Sequence, residues 1–529
     1  MELSRRQILK SAAALSAVKL IPEQALSSQA FSNLAAGDPS PLQRLDDNSF
    51  WSEDFNGDAI GRPHDILWNI DGYLEKKGGI PKAKEHRPLI VVGGGAAGLC
   101  SAYLNRSLSP LVLEQAPTFG GNTQGEKLGN SFYSIGAAYF TKPSPESRLG
   151  QLLTELGLNQ FYREEPHTSV LLKSQLVKNF WQGDSDPQRA QEFKNFFAYL
   201  NNLSELDEKL DRISFIDWLH QEFPNIHPHI QEYVELYCWS SFGASSEELS
   251  AYQVLGFLNA ETQGLIAFPG GNSLVTQRLY EVLKKDLPKN SLRAGAFVLS
   301  IEVKADRVPV VYEDHLGKIQ HVTADKLIFA APKFVGARVI RGLSEKRIDA
   351  MRAIPYRAYI VGNLFVRRQK ASPSFELYCL KGEIPEVPTS RNRLARGFTD
   401  ICFGSWALSD NDDQQVLTLY HALPYEGARQ FLFNPMTHEK YKNQLLDEAK
   451  NIFKGLGMSP EDIIGLRLTR WGHSLPIAQT GLLTNGTLDL ARETINNKVF
   501  FANQDCYANP CFESALARSH IVTKDLQNS

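Results

Sequence analysis

The chain has 529 residues, and its 56 Lys+Arg stand against 59 Asp+Glu for a formal net charge of −3. With 43% hydrophobic residues and 29 Phe, 18 Tyr and 7 Trp it can bury a large core, which excludes a mostly disordered chain. The near-neutral balance leaves no basic surplus for nucleic acid, and no run of about 18 apolar residues is present to cross a bilayer.

The first predicted element is an address. Residues 1–30 run from charge (Arg5, Arg6, Lys10) through the weakly apolar stretch 11–21 to Ser28, Gln29 and Ala30. This charged–apolar–small order is that of an export signal, and Ser4-Arg5-Arg6-Gln7-Ile8 resembles the twin-arginine type, with Ile8 where Phe is usual. The resemblance implies a periplasmic protein exported folded, with cleavage expected after Ala30. If the signal is not used, the stretch is a short amphipathic helix on a cytoplasmic protein. Residues 31–86, rich in Pro, Gly and Asp, are expected to wrap the surface.

A cofactor fingerprint follows. Leu89–Val92 is a short apolar, β-branched run that reads as a buried parallel strand. Gly93, Gly95 and Gly98 then give G-x-G-x-x-G, with Ala96 and Ala97 inside it, ahead of helical sequence. The first glycine permits a tight turn, the second lets backbone approach a pyrophosphate, and the third lets helix and strand pack closely. The phosphate is expected at the helix N-terminus, where free N–H groups favour negative charge. A second apolar run, Leu111–Leu113, ends in Glu114 and Gln115, and an acid at this distance accepts the ribose hydroxyls of an adenosine. Strand, glycines, helix, strand and acid in that order predict a dinucleotide site.

Further blocks name the dinucleotide. They are Phe119-Gly120-Gly121-Asn122-Thr123, residues 129–137, Phe268–Leu274, Ala324–Pro332, Val499–Asp505 and Phe512–Leu516. In this order, from about Pro88 to the C-terminus, the chain resembles the FAD-dependent amine oxidase superfamily, which includes monoamine, polyamine and L-amino acid oxidases. Protoporphyrinogen oxidases and carotenoid desaturases are relatives of that group. The resemblance implies FAD as cofactor, with Glu114 at the ribose and Gly120 and Gly121 beside the pyrophosphate. It also implies Val298 at the adenine, Asp505 or Gln504 at the ribityl or phosphate, and Ala515 with Leu516 opening a helix beneath the flavin. Asn122 stands where the family usually has Arg. No recognisable linkage motif is present, so non-covalent attachment is expected.

The implied fold is α/β. A Rossmann-like FAD-binding domain is assembled from 87–145, 265–335 and 461–529. An α+β substrate-binding domain, 146–264 and 336–460, carries a mixed sheet and a helical insert. Spacing predicts helices over 190–210, 229–239 and 436–456, paired strands over 295–311 and 321–329, and substrate-side strands over 354–366, 394–403 and 415–423. The six cysteines show no CxxC and the 12 His no HExxH-like spacing, so no metal site is expected. Only Cys506 and Cys511 are close, and two free thiols are expected there in preference to a disulfide.

The candidate catalytic segment is Thr469–Pro476. Trp471 is a wall of an aromatic slot for a neutral amine, or plain core. His473 is a proton acceptor, or a hydrogen-bonded structural imidazole. Tyr507 or Phe512 supplies the opposite wall, with packing the alternative for each. Arg357 is a carboxylate-binding residue or a solvated strand-end charge. Residues 238–243 line the substrate path or pack in the core. Residues 354–365 hold no Lys where many amine oxidases place one, and in this the chain resembles the protoporphyrinogen oxidase and desaturase branch.

The expected function is oxidation of a small-molecule amine or amino acid by hydride transfer to flavin N5, with oxygen reoxidising the flavin to peroxide. The alternatives are desaturation or isomerisation of a larger apolar substrate, with a quinone or other carrier as acceptor, and a non-enzymatic flavin-binding protein.

Overall fold

The computed structural model describes residues 38–46, 48–165, 167–367, 372–407 and 414–529. The export-signal reading of residues 1–30 lies outside them.

Glu85–Val92 is the central strand of the first sheet, and its side chains alternate between two cores. Leu89 and Val91 enter one, Ile90 and Val92 the other, so the run is apolar throughout, as a strand covered on both faces must be. It lies between Leu111–Leu113 and Ile319–Phe329, parallel to both. The sheet extends to Leu292–Arg293 on one side and through Val308–Glu313 to Phe297–Ile301 on the other. Val499–Phe501 joins parallel to Ile319–Phe329, so three distant stretches of chain share one sheet. The expected strand over 295–311 is broken: Phe297–Ile301 and Val308–Glu313 are separate antiparallel strands, joined by a turn in which Lys304 N–H donates to Arg307 O (3.0 Å).

The second sheet has eight strands. Its long members are Tyr356–Arg367, Gln414–Leu423 and Ile463–Pro476, with Tyr356–Arg367 antiparallel to both others. Asp400–Phe403 and Glu376–Leu380 continue it outward. The strand expected over 394–403 is shorter, because 392–395 forms a turn and Leu394 is exposed. Helix Met436–Leu456 has the expected bounds and stops at Gly457, whose left-handed φ of 66° suits a residue without Cβ. The helix expected over 190–210 ends at Asn201. Asn201 and Asn202 compete for backbone hydrogen bonds and favour termination there.

Residues 38–86 do more than wrap the surface. Leu42–Arg44 pairs parallel with Gly125–Lys127, and Asn56–Gly57 pairs parallel with Thr469–Arg470. Helices Gly61–Trp68 and Ile70–Lys76 put Ile66, Ile70 and Leu74 into the core beneath the first sheet. Within the second helix the spacing of four sets Ile70 and Leu74 on one side. All six cysteines are free. Among the described residues no helix is long and apolar enough to cross a membrane.

Candidate active site

The glycine turn divides its labour. Gly93 has φ +105°, and a Cβ there would lie 3.0 Å from the Ala330 carbonyl carbon. At Gly98 a Cβ would fall 1.8 Å from Gly93 O, so this glycine lets the helix Ala96–Leu104 seat on the turn. At Gly95 the nearest atom to a Cβ is Gly121 Cα, 3.6 Å away, and its free side faces a cavity. Two glycines thus serve the fold and one leaves room for a ligand. Glu114, at the end of the next strand, accepts from Gly94 N–H (2.6 Å) and Ala116 N–H (2.7 Å). Burial raises its carboxyl against the pull of those N–H groups, with Asp58 nearby adding to the rise.

The cavity has a volume of about 1480 Å³. Typical small-molecule pockets have roughly 300–1,000 Å³, so this one can hold a dinucleotide and a substrate together. Among its walls are Gly93, Gly95, Ala96, Ala97, Glu114, Gln115, Gly120, Gly121, Asn122, Val298, Gln504 and Ala515, together with Trp471, His473 and Phe512. The Trp471 indole N–H donates to Ile135 O (2.7 Å), which fixes the ring against the wall. Asn122 and Gln504 both donate to Ser474 O, at 2.8 and 3.2 Å, tying the end of Ile463–Pro476 to the glycine loop and to the C-terminal block.

Four expectations are corrected. Asp505 does not reach the cavity: its carboxylate is fully buried, paired to Lys333 Nζ at 2.6 Å and accepting from Tyr356 OH at 2.6 Å. Its oxygens face Lys333 and Tyr356 instead of the cavity, and Gln504 is the member of the block that lines it. Tyr507 packs under the Arg492 guanidinium (5.0 Å) away from the cavity, leaving Phe512 as the aromatic wall. His473 stacks on Phe334 with ring centroids 4.4 Å apart. Burial, with Arg429 and His64 adding to it, pushes its imidazole down to about 3, too weak a base to take a proton near neutrality. Arg357 is not a strand-end charge in solvent: it is 6% exposed, lines the cavity and pairs with Glu248 at 2.6 Å.

The structure also assembles a group that no motif announces. Glu261 closes helix Ala251–Glu261, Asp400 opens strand Asp400–Phe403 and Glu513 lies in the first turn of Phe512–Gln527. All three line the cavity, with Ser240, Tyr359 and Tyr420 between them and Trp471. Glu376 stands behind, its oxygens within 4.8 Å of Asp400 and of the Cys402 thiol. Tyr139 OH donates to Glu261 (3.3 Å), Thr399 OH to Asp400 (2.5 Å) and Thr141 OH to Glu513 (3.3 Å). No ion pair among the described residues reaches any of these four carboxylates. Burial accordingly pushes Glu261 up to about 7 and raises Asp400, Glu376 and Glu513. Glu261, Glu376 and Asp400 stand outside every recognised block and Glu513 inside Phe512–Leu516, so only their convergence reveals them as a group.

Comparison with known proteins follows the geometry. The family model described as flavin containing amine oxidoreductase matches residues 96–518. The oxidoreductase PigB of Serratia sp. (strain ATCC 39006) is 22% identical over 81% of this chain and 73% of its own length. An L-amino-acid oxidase of Bungarus fasciatus is 23% identical over 55% of this chain and 60% of its own. Cyclohexylamine oxidase from Brevibacterium oxydans IH-35A superposes with a TM-score of 0.62 over 84% of this chain and 99% of its own at 16% identity, a likeness of fold. FAD fits the residues present, since Gly95 leaves an open cradle, Glu114 stands at the strand end and the volume suffices. The chain belongs to the flavin-containing amine oxidoreductases and is an FAD-dependent oxidoreductase.

Proposed function

We propose that the protein oxidises a small amine bearing a second cationic group. The observation that carries this reading is the set of carboxylates facing the cavity, the buried Asp400 with the partly buried Glu261 and Glu513, which no ion pair among the described residues reaches. An uncompensated carboxylate in such a place favours its neutral form. An arriving ammonium supplies the missing charge, and a hydrogen bond to a charged group contributes about 1.5–3 kcal/mol. Trp471 and Phe512 offer apolar walls that tolerate the neutral nitrogen of the reacting end. FAD, held by Gly95, Glu114, Val298 and Gln504, would supply the two-electron acceptor for the C–H beside that nitrogen. An amino acid is disfavoured, because its carboxylate would meet three acids while the charge of Arg357 is already met by Glu248.

One observation favours the second reading, desaturation or isomerisation of a larger apolar substrate: strand Tyr356–Arg367 carries no Lys. An anaerobic flavin spectrum, titrated with diamines, monoamines, amino acids and apolar alkenes, separates the two. Diamines are expected to bleach the flavin band, which returns with peroxide when air enters. Asp400→Asn is expected to raise the diamine KM about tenfold and leave kcat and the monoamine KM nearly unchanged. Bleaching by amino acids alone, or a flavin untouched by every amine, sinks the proposal.

Export to the periplasm remains a companion proposal, resting on Arg5 and Arg6. Changing both to Lys is expected to retain the protein in the cytoplasm, as fractionation would detect.

A further inference from the structure

Beside the glycine turn, the cavity that receives FAD takes wall residues from well upstream of the family match, which begins at residue 96. Asp58, Arg62, His64, Leu67 and Trp68 line the same space as Gly95, Glu114 and Val298. We propose that residues 56–68 are part of the cofactor site, a clasp laid over the adenosine and pyrophosphate portion of FAD.

Three observations support it. The span is anchored at both ends. At the first end, Asn56–Gly57 pairs with Thr469–Arg470, Asp58 N–H donates to Arg470 O (3.0 Å), and Gly472 N–H donates to the Asp58 carboxylate (2.8 Å). At the second, Tyr73 OH (2.7 Å) and Lys77 (2.9 Å) hold Glu313, and Asp71 pairs with Arg341 (2.6 Å).

Between these anchors, helix Gly61–Trp68 has little protein to pack on. Ile66 is its only buried residue, Leu67 is half-buried, and Trp68 is 72% exposed beneath the Arg338 guanidinium. Leu67, packed in part on the core, and Trp68, covered on one side by Arg338, line the open cavity, and a planar adenine would complete their cover.

The charges match as well. The Arg62 guanidinium lies 5.7 Å over the Phe297 ring, next to Val298, and shares Glu313 with Lys77. Two cations on one carboxylate leave a positive charge over a groove that must take two phosphates. Asp58, which lines the same space as Glu114, is the acceptor that the clasp offers to the sugar hydroxyls.

Two experiments test this on the full-length protein. In the first, wild-type chain loaded with azidoadenine-FAD is irradiated and the labelled peptides are mapped. Label is expected within residues 58–75; label confined to peptides bearing Glu114 or Val298 would overturn the clasp. In the second, FAD release from holoenzyme is followed by flavin fluorescence after dilution. Arg62→Glu is expected to release FAD about tenfold faster than wild type, with Arg62→Lys restoring most of the difference. Release within twofold of wild type from the Glu variant would equally overturn it. Neither readout depends on the substrate, so failure of the amine proposal leaves this result standing, and the converse also holds.

Discussion

Lys333 is the most heavily buried cation near the site, and its partner explains why it is tolerated. Its Nζ lies 2.6 Å from Asp505 and 3.2 Å from Cys506 Sγ, with both members of the ion pair fully buried. Removing one member leaves the other charged and unpaired, at a cost of about 3–5 kcal/mol. Lys333→Met is therefore expected to lower the melting temperature sharply, and the double variant with Asp505→Asn to recover part of the loss. Thermal unfolding of the three proteins checks this; additive losses would count against the pairing. Glu261 makes an opposite prediction. Burial lifts its carboxyl to about 7, so the native state keeps a proton that the unfolded chain gives up. Its stabilising contribution is present below the ordinary carboxylate range and is lost as pH rises toward 7. Between pH 5 and 8 the wild type should lose more stability than Glu261→Gln, and parallel melting curves would exclude this origin. The same residues limit what a sequence can tell. Lys333 follows Ala331-Pro332 and Asp505 ends a recognised block, but no spacing rule says that one closes on the other.

At the scale of elements, the strand pair at Asn56–Gly57 decides whether the N-terminal segment meets the cavity. Gly57 has φ +86°, and a Cβ there would lie 2.4 Å from Arg470 O. Gly57→Val forces both a strained backbone, worth about 1–3 kcal/mol, and a separation of the two strands. The expected outcome is faster proteolysis between residues 45 and 60 together with faster loss of FAD. An unchanged digestion pattern would mean that the pairing is not what holds the segment. The two helices that follow were not expected from sequence, because Asn69 breaks the register between Ile66 and Ile70. The surface reading was incomplete because composition, rich in Pro, Gly and Asp, reports loops but not what those loops cover.

For the whole molecule, the first sheet collects strands from residues 85–113, 292–329 and 499–501, and the cavity draws on the first two of these regions, on residues 503–515 that follow the third, and on 56–68. A ligand seated there ties distant segments together and binds only the folded chain. FAD should therefore stabilise by mass action, about 2.7 kcal/mol at a hundredfold excess over Kd. Calorimetry of the full chain across added FAD is expected to give a melting temperature that climbs with the logarithm of its concentration. A flat response would mean that FAD does not bind the folded chain in preference to the unfolded one.

The sequence by itself determined the features that are local. Gly93, Gly95 and Gly98 with their flanking strands and Glu114 specify a dinucleotide turn, because tight backbone geometry admits few residue types at few spacings. Helix Met436–Leu456 was readable to its ends, since its periodicity and its closing glycine sit within a few turns of each other. Only the tertiary structure decided that Glu261, Asp400 and Glu513 share one chamber, that Asp505 faces Lys333 and not the cavity, and that residues 56–68 line it. Those facts depend on burial and charge between residues far apart in the chain. A carboxylate carries no mark in sequence of whether a cation will be folded against it.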